Sequence, residues 1–133
     1  MAAKKTAGQR AKGPRGANPE TPIQQRIRLA LGMEPDLYLM RNHVGGSEEY
    51  DIEADKVRHQ RFGLAKGSAD LVGILSPTGR WFCLEVKTAK GATLDDQLRW
   101  HALARKFGAF VAIARSPEEA RAALDRARRG ESE

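Results

Sequence analysis

The chain has 133 residues and a formal net charge of +6, enough length for one domain around one hydrophobic core, and neither its composition nor any internal repeat suggests a fibrous protein. Its apolar runs, such as 71–75, 81–84 and 109–114, fall far short of the roughly 20 residues a membrane span requires, so no membrane association is expected. A lone cysteine, Cys83, excludes an internal disulfide, and no apolar core follows the N-terminal lysines to make a secretory signal, so a reducing cytoplasm is the expected location.

In chain order, residues 1–19 come first and hold Lys4, Lys5, Arg10, Lys12 and Arg15 without one acid, which accounts for +5 of the +6. The basic excess is thus a tail, poor in anything to bury, expected to be disordered and either to add non-specific phosphate affinity or simply to be solvated. Residues 20–133 form the expected single domain. Thr21, Pro22 and Gln24 read as a helix start ahead of Ile23, Ile27 and Leu31 at helical spacing, which predicts a helix over 22–31. A strand follows over 37–44, ended by Gly45-Gly46, then a polar loop over 47–56 leading to a weaker strand near 57–62.

The clearest feature is a hairpin, with strands over 69–75 and 80–87 joined by Ser76-Pro77-Thr78-Gly79 as a type I turn. Thr93-Leu94-Asp95-Asp96 caps a helix running to about Phe107, 109–114 forms a last strand, and Ser116-Pro117-Glu118-Glu119 caps a final helix. The layout is α-β-(β)-β-β-α-β-α, or α-β-β-β-α-β-α without the weaker strand: an α/β chain with a central mixed β-sheet flanked by helices.

A turn centred between Pro77 and Thr78 pairs residues whose numbers sum to 155, setting Ile74 opposite Trp81, Val72 opposite Cys83 and Asp70 opposite Glu85. Two opposed carboxylates repel unless something compensates them, and a divalent cation does so. Mg²⁺ suits this pair, since it commonly takes one or two carboxylates and keeps waters and phosphates for its other positions. Side chains alternate along a strand, so Lys87 stands on the Glu85 face while Phe82, Leu84 and Val86 face the core. A cation beside an ammonium is equipment for phosphodiester hydrolysis, in which water is activated and charge on the phosphate is offset. Gly67-Ser68 and Lys90-Gly91 leave open backbone at the rim for a phosphate. Trp100, Leu103, Ala104 and Phe107 make one inward stripe on the following helix, with Gln97 at its edge pointing toward the sheet. Trp81, Val72 and Ile74 share the face of the acids, which argues that this face is largely covered and that charges on it need a partner.

Asp70, fourteen residues, then Glu85-Val86-Lys87 resembles the PD-(D/E)XK nuclease signature, with Ala69 in place of the proline. The surrounding segments Arg41-Asn42-His43-Val44-Gly45, Gly63-Leu64-Ala65-Lys66-Gly67-Ser68-Ala69-Asp70-Leu71, Leu84-Glu85-Val86-Lys87-Thr88-Ala89-Lys90-Gly91, and Gln97 followed by Trp100 resemble the VRR-NUC family, above all its small stand-alone phage and bacterial members. The resemblance spans roughly residues 20 to 121. It implies a restriction-endonuclease-like core, DNA cleavage dependent on Mg²⁺ or Mn²⁺, and a homodimer. It further implies a metal site of Asp70, Glu85, Val86 and an acid of the first helix placed at Glu20, with Lys87 as catalytic lysine and Gln97 as the helix glutamine. Pro22 is expected to start the helix after Glu20 and leave that acid just outside it. An acid of the polar loop, Glu48, Glu49, Asp51 or Glu53, is then either a substitute or simply solvated.

His43, His59 and His101 lack metal-binding spacing and are read as ordinary hydrogen-bonding residues, His43 being the one nearest the rim. Trp100 and Phe107 are expected in the core, Cys83 as a small packed residue, and Arg126, Arg128 and Arg129 either at DNA or as favourable charges at a helix C-terminus. The expected activity is a metal-dependent DNA endonuclease, with branched or flapped DNA among the permitted substrates. The rival is a nucleic-acid-binding module on the same fold without turnover.

Overall fold

The computed structural model describes residues 18–133; the tail reading, apart from Asn18 and Pro19, lies outside the described residues. Three helices and six strands follow in the order α1 (Glu20–Leu31), β1 (Leu37–Arg41), β2 (Gly45–Asp51), β3 (Lys56–Phe62), β4 (Leu71–Leu75), β5 (Arg80–Val86), α2 (Asp95–Lys106), β6 (Phe110–Ala114) and α3 (Pro117–Arg128). Four strands form a mixed sheet in the order β1-β4-β5-β6, and β2 and β3 form a separate two-stranded ribbon. Among the described residues no helix is long and apolar enough to cross a membrane.

The β4–β5 pairing has the expected register, with Ile74 opposite Trp81 and Val72 opposite Cys83. Its turn is wider than a type I turn: Gly79 N–H donates to Leu75 O at 2.9 Å, with Gly79 at φ +78°. On the other side β1 runs antiparallel to β4, and Gly73 makes room for it, since a Cβ there would lie 2.9 Å from the Tyr38 carbonyl oxygen. β6 pairs parallel to β5 after the crossover through α2, placing Phe110 beside Phe82, their rings stacked at 5.3 Å.

Alternation then divides the side chains between two faces. Leu71, Leu75, Phe82, Leu84, Val86 and Phe110 bury themselves against Ile27 and Leu31 of α1 and Ala120, Ala123, Leu124 and Ala127 of α3. The alanines of α3 let that helix lie close, and its start is capped as expected, Ser116 Oγ accepting from Glu119 N–H with Pro117 in the first turn. The opposite face carries a smaller cluster, Val72, Cys83, Val111, Ala69 and Ala109, covered by Trp100 and Ala104 of α2.

Several expectations are corrected. The first helix begins at Glu20, two residues before Pro22, because a proline is tolerated in the first turn, where its missing N–H has no partner to lose; Asn18 Oδ1 accepts from Glu20 N–H at 2.9 Å. The strand expected over 37–44 ends at Arg41, and most of the polar loop expected over 47–56 is strand β2 and the turn to β3. The ribbon lies outside both cores, almost every residue exposed, so no apolar alternation betrayed β2. Ile74 and Trp81 lie beyond the cover of α2, Trp81 with 47% of its surface exposed. Finally, α2 is rotated from the expected stripe: Trp100 and Ala104 pack on the sheet as expected and His101 is the buried residue between them, while Leu103 is exposed and Phe107 is 81% exposed, not in the core.

Candidate active site

The site lies where the C-terminal end of β5 meets the start of β4, the first turn of α1 and the first turn of α2. Asp70 immediately precedes β4 and continues its ladder, its carbonyl accepting from Asn42 N–H at 2.8 Å; Lys87 immediately follows β5, its N–H donating to Ala114 O at 3.2 Å. Glu85 thus lies within β5, Lys87 directly after it and Asp70 at the bend that leads into β4, and the three come together at the α2 side of the sheet.

The five expected catalytic residues converge. Asp70 Oδ2 accepts from Val86 N–H at 2.8 Å, so Val86 enters the site through its main chain while its side chain stays in the core. Gln97 Nε2 donates to Glu85 Oε2 at 3.1 Å, and Gln97 Oε1 accepts from Leu94 N–H at 2.9 Å, tying the start of α2 to the catalytic strand. Lys87 Nζ stands 4.0 Å from Glu20 Oε2. Glu20, expected outside the helix, is thus its first residue and directed at the lysine. The proposed substitutes sit elsewhere: Glu48, Glu49 and Asp51 lie on β2 and Glu53 in the turn after it, with Asp51 bound to Arg58 at 2.7 Å and Glu48 beside His59 at 3.4 Å.

Glu85 is 1% and Lys87 6% exposed, beneath a polar cleft of about 300 Å³ lined by Glu20, Asn42, His43, Ser68, Asp70, Asp96 and Gln97 among others. Gly67 adopts φ +88°, and a Cβ there would lie 2.4 Å from Asp96 O, so glycine lets the β3–β4 loop press against the first turn of α2. Asn42 ties this wall together: its Nδ2 donates to Ser68 Oγ at 2.8 Å and Ala69 O at 2.7 Å, and its Oδ1 accepts from Leu64 N–H at 3.1 Å. His43, at the rim, stacks on Phe62 with ring centroids 5.3 Å apart. Lys90 and Gly91 do not line the cleft; Gly91 O is held by Arg115 at 2.9 Å. A wider, more apolar groove of about 400 Å³ lies at the far end of this face under Leu103 and Phe107, and no carboxylate lines it.

Burial and the neighbouring Glu85 carboxylate push Asp70 up to about 7, against the opposing pull of the Val86 N–H and Lys87. Burial also raises Glu85, helped by the charges of Glu20 and Asp96 and opposed by the hydrogen bond with Asp70 and by Lys87. A buried carboxylate beside a half-buried one wants either a shared proton or a cation. Among the described residues no three His, Cys, Asp or Glu side chains form a ready cation cage. The two-carboxylate donor set nonetheless fits Mg²⁺ or Mn²⁺, hard cations that leave other positions for water and phosphate.

The sequence reads His101 as an ordinary hydrogen-bonding residue and does not place it at the site. It is 2% exposed, and its Nε2 lies 3.4 Å from Glu85 Oε1. Burial lowers its pKa, followed by the charges of Arg105 and Lys87, with Asp70 pulling the other way, and the ring nitrogen donates or accepts in this contact according to its tautomer. The signal was available in the i, i+4 spacing from Gln97. The arginines at the end of α3 are engaged internally: Arg128 binds Asp36 at 2.7 Å and Glu34 at 2.5 Å, and Arg129 binds Glu131 at 2.9 Å. Cys83 is buried, its thiol pushed up to about 12, and is inert packing.

No protein-family model matches the chain, and no curated protein or solved structure matches it.

Proposed function

We propose that this chain is a Mg²⁺- or Mn²⁺-dependent DNA endonuclease on a restriction-endonuclease-like core, of the VRR-NUC kind that its motifs resemble, acting in the cytoplasm. The observation that carries the reading is the buried Glu85 beside the half-buried Asp70, with Lys87 on the same strand face and the open polar cleft above them. Asp70 and Glu85 would hold the cation, with Val86 N–H fixing the first and Gln97 the second. The cation would supply Lewis acidity toward a phosphoryl oxygen and a water of lowered pKa. Lys87 donates to the attacking water or to the oxygen on which charge grows, and Glu20 holds its ammonium in place. Hydrolysis adds that water's oxygen to phosphorus and breaks the opposite P–O ester bond, the proton leaving with the alkoxide. Branched or flapped DNA belongs among the substrates to be tested. A homodimer goes with this reading, because so small a domain presents little surface to a duplex and two copies can straddle one.

The test is cleavage of single-stranded, duplex, flapped and four-way-junction DNA with Mg²⁺, Mn²⁺ or EDTA, comparing wild type with Lys87→Ala and Glu85→Ala. Product that requires metal and falls by about 100-fold or more in both variants is the expected result. A folded wild type that binds DNA and yields no product would end the enzymatic reading and leave the binding module.

A further inference from the structure

Helix α2 gives its most buried position to an imidazole and leaves Leu103 and Phe107 in water. Something specific must favour His101 there, since an apolar residue would bury at lower cost. The geometry gives the reason. Gln97 and His101 are four residues apart, hence on one helix face, and they reach the two oxygens of the same carboxylate: Gln97 Nε2 to Oε2 at 3.1 Å, His101 Nε2 to Oε1 at 3.4 Å.

We infer that His101 is a positioning residue for the cation site, fixing the Glu85 carboxylate from behind by a hydrogen bond from its Nε2–H. This inference rests on the reading of Asp70 and Glu85 as the cation ligands. A carboxylate oxygen accepts more than one partner, so each Glu85 oxygen engaged by α2 keeps a further lone pair for a cation. With one donor on each oxygen the side chain can neither rotate about its terminal bond nor swing away from Asp70. His101 does not line the cleft and acts only through Glu85, in the way outer partners orient metal ligands and set their basicity. Gln97 shares this task but also accepts the Leu94 N–H at the start of α2. A change at Gln97 therefore mixes ligand positioning with helix capping, and His101 isolates the former.

The experiment is Mn²⁺ binding to the full chain, followed by calorimetry and by the Mn²⁺ resonance signal, in wild type, His101→Leu and His101→Gln. His101→Leu should bind Mn²⁺ about 10- to 100-fold more weakly while melting as a folded protein, and His101→Gln, whose amide nitrogen takes the place of Nε2, should recover most of the loss. Equal affinity in His101→Leu and wild type would overturn the inference and leave the cation site standing. A wild type that binds no Mn²⁺ would instead remove the cation reading itself, and this inference with it. Imidazole ¹⁵N spectra of the wild type decide the matter should His101→Leu not fold. The Nε2–H tautomer, with a signal that moves saturably on adding Mg²⁺, is expected; the Nδ1–H tautomer would overturn the inference.

Discussion

The two faces of the four-stranded sheet are made from alternate residues of the same strands, yet they are built on opposite principles. Toward α1 and α3, Leu71, Phe82, Leu84, Val86 and Phe110 meet Ile27, Leu31, Leu124 and the α3 alanines in a continuous apolar layer. Toward α2, the strand positions between them carry Val72, Cys83 and Val111 in the middle, Glu85 and Lys87 at one end and a half-exposed Trp81 at the other. The closed face supplies stability through area and packing. The open face spends part of that stability on a buried carboxylate, Glu85, beside a half-buried one, Asp70, which an apolar pair would replace at no loss of stability. A cost of this kind, concentrated under a polar cleft, is the signature expected of a working site.

Substitutions on the two faces should therefore differ in sign. The largest effect belongs to Phe82→Ala, which removes a fully buried ring stacked on Phe110 and should lower unfolding free energy by about 3–5 kcal/mol in urea titrations. Asp70→Asn should do the reverse in the metal-free protein. The carboxyl of Asp70 is raised from 3.8 to about 7 in the fold, so the folded state holds a proton that the unfolded chain releases. Its contribution is complete below 3.8 and is lost as pH rises through about 7, a decline of at most about 4 kcal/mol. Glu85 is shifted in the same direction. In EDTA the wild type should melt at falling temperature between pH 4 and 8, Mg²⁺ should restore the upper end, and Asp70→Asn should flatten the slope while abolishing cleavage. A slope unchanged in Asp70→Asn would mean that the two faces do not differ in this way.

How much of this was readable beforehand depended on how local the determining interactions are. The β4–β5 register, and with it the Asp70–Glu85 pairing, follows from one short turn, so the sequence suffices. The cap of α3 is equally local, since Ser116 and Glu119 satisfy each other's neighbourhood. Strand β2 escaped because Gly-Gly-Ser-Glu-Glu-Tyr-Asp has no apolar face to bury; only cross-strand pairing with β3 defines it. Glu20 was placed outside its helix because Pro22 was taken as a start, whereas the first-turn donors need no partner and the helix begins earlier. In helix α2 apolar periodicity finds Trp100 and Ala104 on the inward face but adds Leu103 and Phe107 and omits His101, because it assumes that the buried face is apolar. At a site the rule fails where it matters, for the buried residue is the one that touches Glu85.

That misreading leads to the smallest of the expected effects. If Phe107 belonged to the core, Phe107→Ser would cost several kcal/mol, as large-to-small core changes do. In the structure Phe107 terminates α2 with most of its ring already in water, and its main chain, whose N–H bonds to Leu103 O and Ala104 O, does not depend on the side chain. Phe107→Ser should therefore change unfolding free energy by only about 0.5 kcal/mol, leave Mn²⁺ affinity unaltered, and preserve cleavage. A loss of several kcal/mol at protein concentrations where the chain is a monomer would show that α2 presents its apolar stripe to the sheet after all. The His101 contact with Glu85 would then have to be given up, because a rotation of α2 that brings Leu103 and Phe107 onto the sheet carries His101 off it.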